Sequence, residues 1–298
     1  MRDRVCGVRF TSPEAEQRYA ALVAVAGTTV VGLDFDGTLA PIVDDPESAH
    51  IHPDAPRVLV ELSAVVRAVA VVTGRPARKV LALGGLDEVG REIGDTGREL
   101  FVFGQYGFER WTSTQRRVVS PRPPQGLSGF LRELPRVLRD AGAPDAFVED
   151  KGLAIAVHTR RLEDPVAAFT RLEPRLRDLA TRHGMVLEPG RNVIEARSPG
   201  ADKGTVVRDL AEETDAGGFL FAGDDLGDVE AFEAVAALRD QGLPTLLVCS
   251  ASDEESALLE RSDIVVRGPD GVLALLRRLT VDATSGWSPA HPGRGRPV

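Results

Sequence analysis

Two carboxylates one residue apart, Asp34 and Asp36 in Asp34-Phe35-Asp36-Gly37-Thr38, follow directly on the apolar run 28–33. An extended backbone points residues i and i+2 the same way, so both acids face one side until Gly37 turns the chain. Such a pair can hold a hard divalent cation, or one acid can attack an electrophile while the other moves protons. A helix cap followed by a turn is the plainer alternative. Three further carboxylates crowd Gly223-Asp224-Asp225-Leu226-Gly227-Asp228, after a second apolar run at 218–222. Acids this close repel one another unless a cation or a basic side chain compensates them, although a solvated turn would also accommodate them. Thr73-Gly74-Arg75 closes a third apolar run and offers a hydroxyl, a pliable backbone and a guanidinium, which suits phosphate oxygens or simply a loop. Lys203 opens a helix after Pro199-Gly200-Ala201-Asp202, where the first amides favour anions; a surface lysine is the competing reading.

Groups so far apart in the chain can meet only if the strands carrying them lie side by side. The runs 28–33, 69–72, 100–103, 218–222 and 244–248 are apolar without alternation, as strands buried on both faces of a parallel sheet must be. Helical patterns at 55–66, 76–83, from 203, from 229 and from 271 separate them, and Ser12 with Pro13 caps an earlier helix over 14–26. Strand, helix, strand implies right-handed parallel crossovers, with ligands beyond the carboxyl ends of the strands. The fold class is therefore α/β, a Rossmann-like core around a parallel central sheet. Between 104 and 196 the rhythm changes. Paired strands at 106–111 and 116–119, a helix at 127–141 disturbed at Pro135, a hairpin around Asp150-Lys151-Gly152, a helix at 165–182 and a hairpin around Pro189-Gly190-Arg191 read as an inserted α+β cap. The expected organisation is an N-terminal helix in 1–27, a core from 28–104 and 197–281, and the cap at 105–196. The Gly-, Pro-, Ser- and Arg-rich stretch 282–298 is expected to form no ordered structure.

A chain of 298 residues has room for two cores, and 45 acidic against 36 basic residues leave a formal charge of −9. Duplex-binding surfaces need clustered Lys and Arg, so nucleic acid is not an expected partner. Cys6 and Cys249 are too few and too isolated for a disulfide framework, which fits a reducing compartment. No apolar run of signal-peptide length follows Met-Arg-Asp-Arg, and no window approaches the roughly 18 to 20 apolar residues that span a bilayer, so a cytoplasmic protein without membrane contact is expected. Protein partners are not indicated.

In chain order, Asp34-x-Asp36-Gly37-Thr38, Thr73, Lys203 and Gly223-Asp224-Asp225-x-x-Asp228 resemble the four signatures of the haloacid dehalogenase superfamily of phosphotransferases. The resemblance implies that Asp34 attacks phosphorus to give an aspartyl-phosphate and that Asp36 protonates the leaving alkoxide and then activates water. It implies that Thr73 and Lys203 bind the phosphoryl oxygens. Mg²⁺ would be held by Asp34, the Asp36 carbonyl and Asp224, supported by Asp225 and Asp228.

A closer resemblance, reaching into the insertion, is to the trehalose-phosphate phosphatases. It rests on Leu-Asp-Phe-Asp-Gly-Thr-Leu-Ala-Pro-Ile-Val-Asp-Asp at 33–45, on Val148-Glu149-Asp150-Lys151 with His158-Thr159-Arg160, on Pro189-Gly190-Arg191-Asn192-Val193-Ile194-Glu195 and on Ala201-Asp202-Lys203-Gly204. It implies a small-molecule sugar phosphate, trehalose 6-phosphate, as substrate of a phosphoric monoester hydrolase, with Glu149, Lys151, Arg160 and Glu195 on the sugar and Arg75 among the substrate ligands. On chemistry alone Glu149 and Lys151 could equally form a surface ion pair, and Glu195 and His158 could be structural. Three positions depart from the family pattern: Tyr106 stands in Gly104-Gln105-Tyr106-Gly107 where His is usual, and Gly227 and Val229 replace a Thr and a Glu. A phosphatase for another sugar or pseudo-disaccharide phosphate, or a weakly active sugar-phosphate sensor, are the rival readings.

Overall fold

The computed structural model describes residues 8–43, 45–190, 192–251 and 258–285. They divide into two compact units, one running up to Val119 and again from Asp202, the other Ser120–Ala201. In chain order the first unit contributes β1 (Arg9–Phe10), α1 (Pro13–Ala24), β2 (Thr29–Leu33), α2 (Ala55–Ser63), β3 (Ala68–Val72), α3 (Ala77–Gly84), α4 (Leu86–Asp95), β4 (Glu99–Gly104) and β5 (Glu109–Thr112). The second unit follows with α5 (Leu127–Asp140), β6 (Phe147–Asp150), β7 (Ala154–His158), α6 (Pro165–Arg182), β8 (Val186–Gly190) and β9 (Val193–Arg197). The first unit then resumes with α7 (Lys203–Glu213), β10 (Gly218–Gly223), α8 (Val229–Asp240), β11 (Thr245–Ala251), β12 (Ile264–Arg267) and α9 (Gly268–Ser285).

Among the described residues of the first unit, eight strands form one sheet in the order β1-β12-β11-β10-β2-β3-β4-β5. The strands from β12 to β4 run parallel, and β1 and β5 close the edges antiparallel. The apolar runs of β2 and β10 are buried on both faces. Val31 and Leu33 pack into one layer with α1, α2 and α9, and Val30, Phe219 and Phe221 into the other with α7 and α8. Strand order reverses between the neighbours β2 and β10, so their carboxyl ends flank the crevice where open α/β sheets bind ligands.

Local chemistry explains both the agreement and the differences. Ser12 accepts a hydrogen bond from Ala15 N at 3.2 Å and starts α1 at Pro13, as its sequence indicates. α4 lies beyond the expected helix and is set off from α3 by Gly85 in the left-handed region. β5, expected within the insertion, pairs instead with β4, and among the described residues its strand pairing with the following segment is the isolated bridge Arg110 to Val119. Burying Trp111 against the sheet edge holds it there. α9 runs on to Ser285, with Tyr19 Oη donating to Asp282 Oδ2 at 2.7 Å, so residues 282–285 are helical and not part of an unordered tail. Residues 286–298, Cys6 and Arg191 lie outside the described residues.

The second unit is a four-stranded antiparallel sheet, β6-β7-β9-β8, with α5 and α6 on one face. Alternation sorts its side chains: Val148, Ile155, Val157, Ile194 and Ala196 pack on Phe130, Leu134, Leu172 and Leu176. On the opposite face Glu149, Ala156, Glu195 and Glu188 stand in one cross-strand row. α5 continues through Pro135, and Asp164 caps α6 by accepting from Ala167 N at 3.0 Å.

Candidate active site

Asp34 is the first residue past β2 and still donates its N–H to Ala222 O of β10 at 2.9 Å, so the ladder fixes its position beside the second acidic loop. The chain then turns at Gly37, whose φ of +67° is a left-handed value that costs glycine nothing. A β-carbon there would lie 2.1 Å from Asp224 Oδ2, so only glycine lets the two loops close on each other. Ser250, at the end of β11, donates to Gly37 O at 2.6 Å and pins the turn. Its sequence signal was slight: a hydroxyl ending an apolar strand.

Lys203 enters from the start of α7, where Asp202 caps the helix by accepting from Thr205 N at 2.6 Å. Its ammonium lies 2.6 Å from Asp34 Oδ1 and 2.6 Å from Asp228 Oδ1, all three groups being buried. Asp228 Oδ2 accepts from Asp224 N at 3.0 Å, and Asp225 accepts from Gly227 N at 2.8 Å while forming a capping box with Asp228. Gly227 is thus a backbone donor in a tight turn, and Val229 begins α8.

Among the described residues, carboxylate oxygens of Asp34, Asp224 and Asp228 come within 4.8 Å of one another, a group able to hold a metal ion. Burial pushes the Asp34 carboxyl well above the usual range, with Asp228, Asp225 and Asp36 adding to the effect against the pull of Lys203. Burial likewise raises Asp228, and it raises Asp224, with Asp34, Asp225 and Asp228 contributing, to about 9. Burial presses down on Lys203 too, but Asp228, Asp34 and Asp225 outweigh it and hold its ammonium well above the ordinary lysine value. One ammonium cannot neutralise three carboxylates. The site therefore takes up protons or accepts a further cation, and an all-oxygen donor set fits a hard divalent ion.

Thr73 is buried at the end of β3 and accepts from Arg75 N at 3.1 Å. The loop is held from the next strand end: Gln105 N donates to Arg75 O at 2.9 Å and Tyr106 N to Thr73 O at 3.0 Å. Tyr106, at φ +60°, lays its ring on Gly74, where a β-carbon would come within 2.8 Å of it. Tyr106, where the sequence departs from the expected His, is therefore a packing partner of the Thr73–Arg75 loop. Arg75 turns to Asp36, gripping both carboxylate oxygens, so the Asp36 carboxylate stands apart from the acidic group.

The remaining candidates lie in the second unit. Lys151 pairs with Glu195, whose side chain is only 7% exposed, and His158 Nε2 lies 2.9 Å from Glu149 Oε2. Arg197, not anticipated, donates to Glu188 at 2.8 Å on the same charged face. Arg160 is exposed beyond β7. Among the described residues, no helix is long and apolar enough to cross a membrane.

The profile of the family described as Trehalose-phosphatase matches residues 32–95 and 138–263. A rice protein (Oryza sativa subsp. japonica) named Probable trehalose-phosphate phosphatase 9 is 31% identical over 301 aligned positions, covering 94% of this chain and 72% of that protein. The Trehalose-phosphate phosphatase of Mycolicibacterium paratuberculosis is 31% identical over 229 positions, 73% of this chain. This chain spans 54% of that relative's length. The C-terminal domain of the C. albicans Trehalose-6-phosphate phosphatase has the same fold, with a TM-score of 0.70 at 19% identity over 92% of this chain and 99% of that one. The profile covers the Asp34–Thr38 loop on one side of the insertion and both Lys203 and the acidic loop on the other, and on that match the chain belongs to the trehalose-phosphatase family.

Proposed function

We propose that this protein is a magnesium-dependent phosphatase that hydrolyses trehalose 6-phosphate to trehalose and inorganic phosphate. The observation that carries the reading is Lys203, seated between Asp34 and Asp228 at the sheet's switch point. It occupies Asp34 Oδ1 and leaves Oδ2 to attack phosphorus. That attack forms an Asp34–phosphorus bond and breaks the bond from phosphorus to the sugar oxygen, which takes its proton from Asp36. Asp36 then accepts a proton from water as the water attacks the aspartyl-phosphate, releasing phosphate and restoring Asp34. Lys203 and the Thr73 hydroxyl donate to the phosphoryl oxygens, where charge gathers in the transition state. Asp34, the Asp36 carbonyl and Asp224, supported by Asp225 and Asp228, would hold a divalent ion, which would supply charge neutralisation.

The sugar is assigned to the charged face of the second unit, through Glu149, Lys151, Arg160 and Glu195, because hydroxyls need dense donors and acceptors. Family membership and the charged pairs on that face, Lys151–Glu195, His158–Glu149 and Arg197–Glu188, support this. The inserted unit is assigned the role of a cap, and the cytoplasm, where such esters are made and consumed, is the setting we propose.

The test is phosphate release from trehalose 6-phosphate, glucose 6-phosphate and sucrose 6-phosphate by the native protein and by Asp34→Asn. Preference for the first ester and no turnover by the variant are expected. Comparable rates across the panel would give the activity to a broader sugar or pseudo-disaccharide phosphatase, and tight binding without turnover to a sensor.

A further inference from the structure

On the first unit, away from the acidic loops in sequence, α3, the start of α4, β5 and the turn after it line an open cleft of about 370 Å³. Arg78, Arg116 and Arg117 stand around it with a single acid, Asp87; Ala82 and Val118 contribute accessible apolar surface, and Leu81 and Trp111 are buried in its wall. In a chain with a formal charge of −9, three guanidiniums against one carboxylate reverse the sign locally. Arg116 reaches Asp87 only at 3.4 Å, and among the described residues Arg78 and Arg117 have no acidic partner. Arg116 also holds a φ of +51° at a turn closed by its N–H on Thr112 O, at 2.8 Å. Glycine or asparagine would adopt that backbone without the cost of about 1 kcal/mol that a longer side chain incurs there. Strain of this kind collects at sites that use the residue bearing it.

Guanidiniums bind phosphate-type oxyanions through paired planar donors, and a cleft of roughly 300 Å³ or more with mixed apolar and polar walls is of small-molecule size. We infer that this cleft binds a small organic phosphate, its anionic group on Arg78, Arg116 and Arg117 and its apolar body against Ala82 and Val118, next to the buried Trp111. The site is independent of the phosphoryl-transfer site and uses none of its residues.

Trp111 makes the inference testable, because the chain holds only one other tryptophan, Trp287. In a Trp287→Phe background, Trp111 emission is titrated at constant ionic strength with phenylphosphonate, whose carbon–phosphorus bond a phosphatase cannot hydrolyse. Benzyl alcohol serves as the uncharged control. A saturable change with phenylphosphonate, weakened at least tenfold in Arg78→Ala/Arg117→Ala and in the single charge reversal Arg117→Glu, is the expected result. Occupancy of the phosphoryl site is read separately as competitive inhibition of phosphate release, and both variants should keep the parent's turnover. No saturable change in the parent, an undiminished response in the variants, or equal binding of benzyl alcohol would overturn the inference.

Discussion

Arg75 grips Asp36 with two parallel hydrogen bonds, Nε to Oδ2 at 2.6 Å and Nη2 to Oδ1 at 2.7 Å. The residue proposed to pass protons is thereby aimed by a planar fork that a lysine cannot reproduce. Arg75→Lys should lower kcat about tenfold and Arg75→Ala further, in line with the roughly 1.5–3 kcal/mol of a charge-assisted bond. Because the Asp36 side chain is 39% exposed, solvent screens the pair and melting temperature should move only slightly. Kinetics on p-nitrophenyl phosphate beside the sugar ester are the check: equal losses on both place Arg75 at Asp36, and loss on the sugar ester alone would place it on the sugar.

Removing the ammonium of Lys203 strands two buried carboxylates. Lys203→Met should cost about 3–5 kcal/mol in urea unfolding at neutral pH, as breaking one side of a buried ion pair does. Phosphate release should fall about a hundredfold or more. Lowering the pH should narrow the stability gap, since protonated carboxyls no longer need the partner.

The raised value of Asp224 fixes the sign of a pH effect. Its folded value of about 9 exceeds the unfolded 3.8, so the metal-free folded protein holds this proton more tightly than the unfolded chain does. That contribution to stability is complete below the unfolded value and is lost as pH rises towards about 9. A divalent ion must displace the proton, so its affinity should strengthen with pH over the same window. Calorimetric Mg²⁺ titrations at several pH values, with proton release measured in two buffers, would show it, and pH-independent binding would contradict it.

Gly37→Ala adds a methyl group where the backbone is left-handed and the Asp224 carboxylate is already in place. Turnover and divalent-ion binding should both collapse. The backbone strain alone accounts for only about 1–2 kcal/mol of stability. A variant that binds the ion as tightly as the parent would show that the two loops can separate without consequence.

Glu195→Gln breaks the ion pair with Lys151 on the charged face of the second unit. The KM for trehalose 6-phosphate should rise about tenfold, while kcat/KM for p-nitrophenyl phosphate, which lacks the sugar, should hold. Parallel losses on both esters would make the pair a structural brace.

The five buried strands that carry or flank the site were legible because a strand covered on both faces must be continuously apolar, as in 28–33 and 218–222. The four-residue β12 and the two-residue β1 at the sheet edge escaped because strands this short leave no periodic pattern. β5 was read as a strand but assigned to the wrong sheet, since partner choice depends on tertiary packing of Trp111, which spacing does not encode. At the site, residue types and their strand ends were readable, but side-chain partnerships were not. Nothing in the sequence says that Asp228 would meet Lys203 directly, or that Arg75 would turn to Asp36.

The two-faced sheet of the inserted unit bears on how such an enzyme can change. Val148, Ile155, Val157, Ile194 and Ala196 hold the unit together, and Glu149, Ala156, Glu195 and Glu188, interleaved with them one position away, face the other side. Mutational drift or laboratory selection can therefore rewrite every second residue of these strands, on the face proposed to hold the sugar, without touching the residues that keep the unit folded.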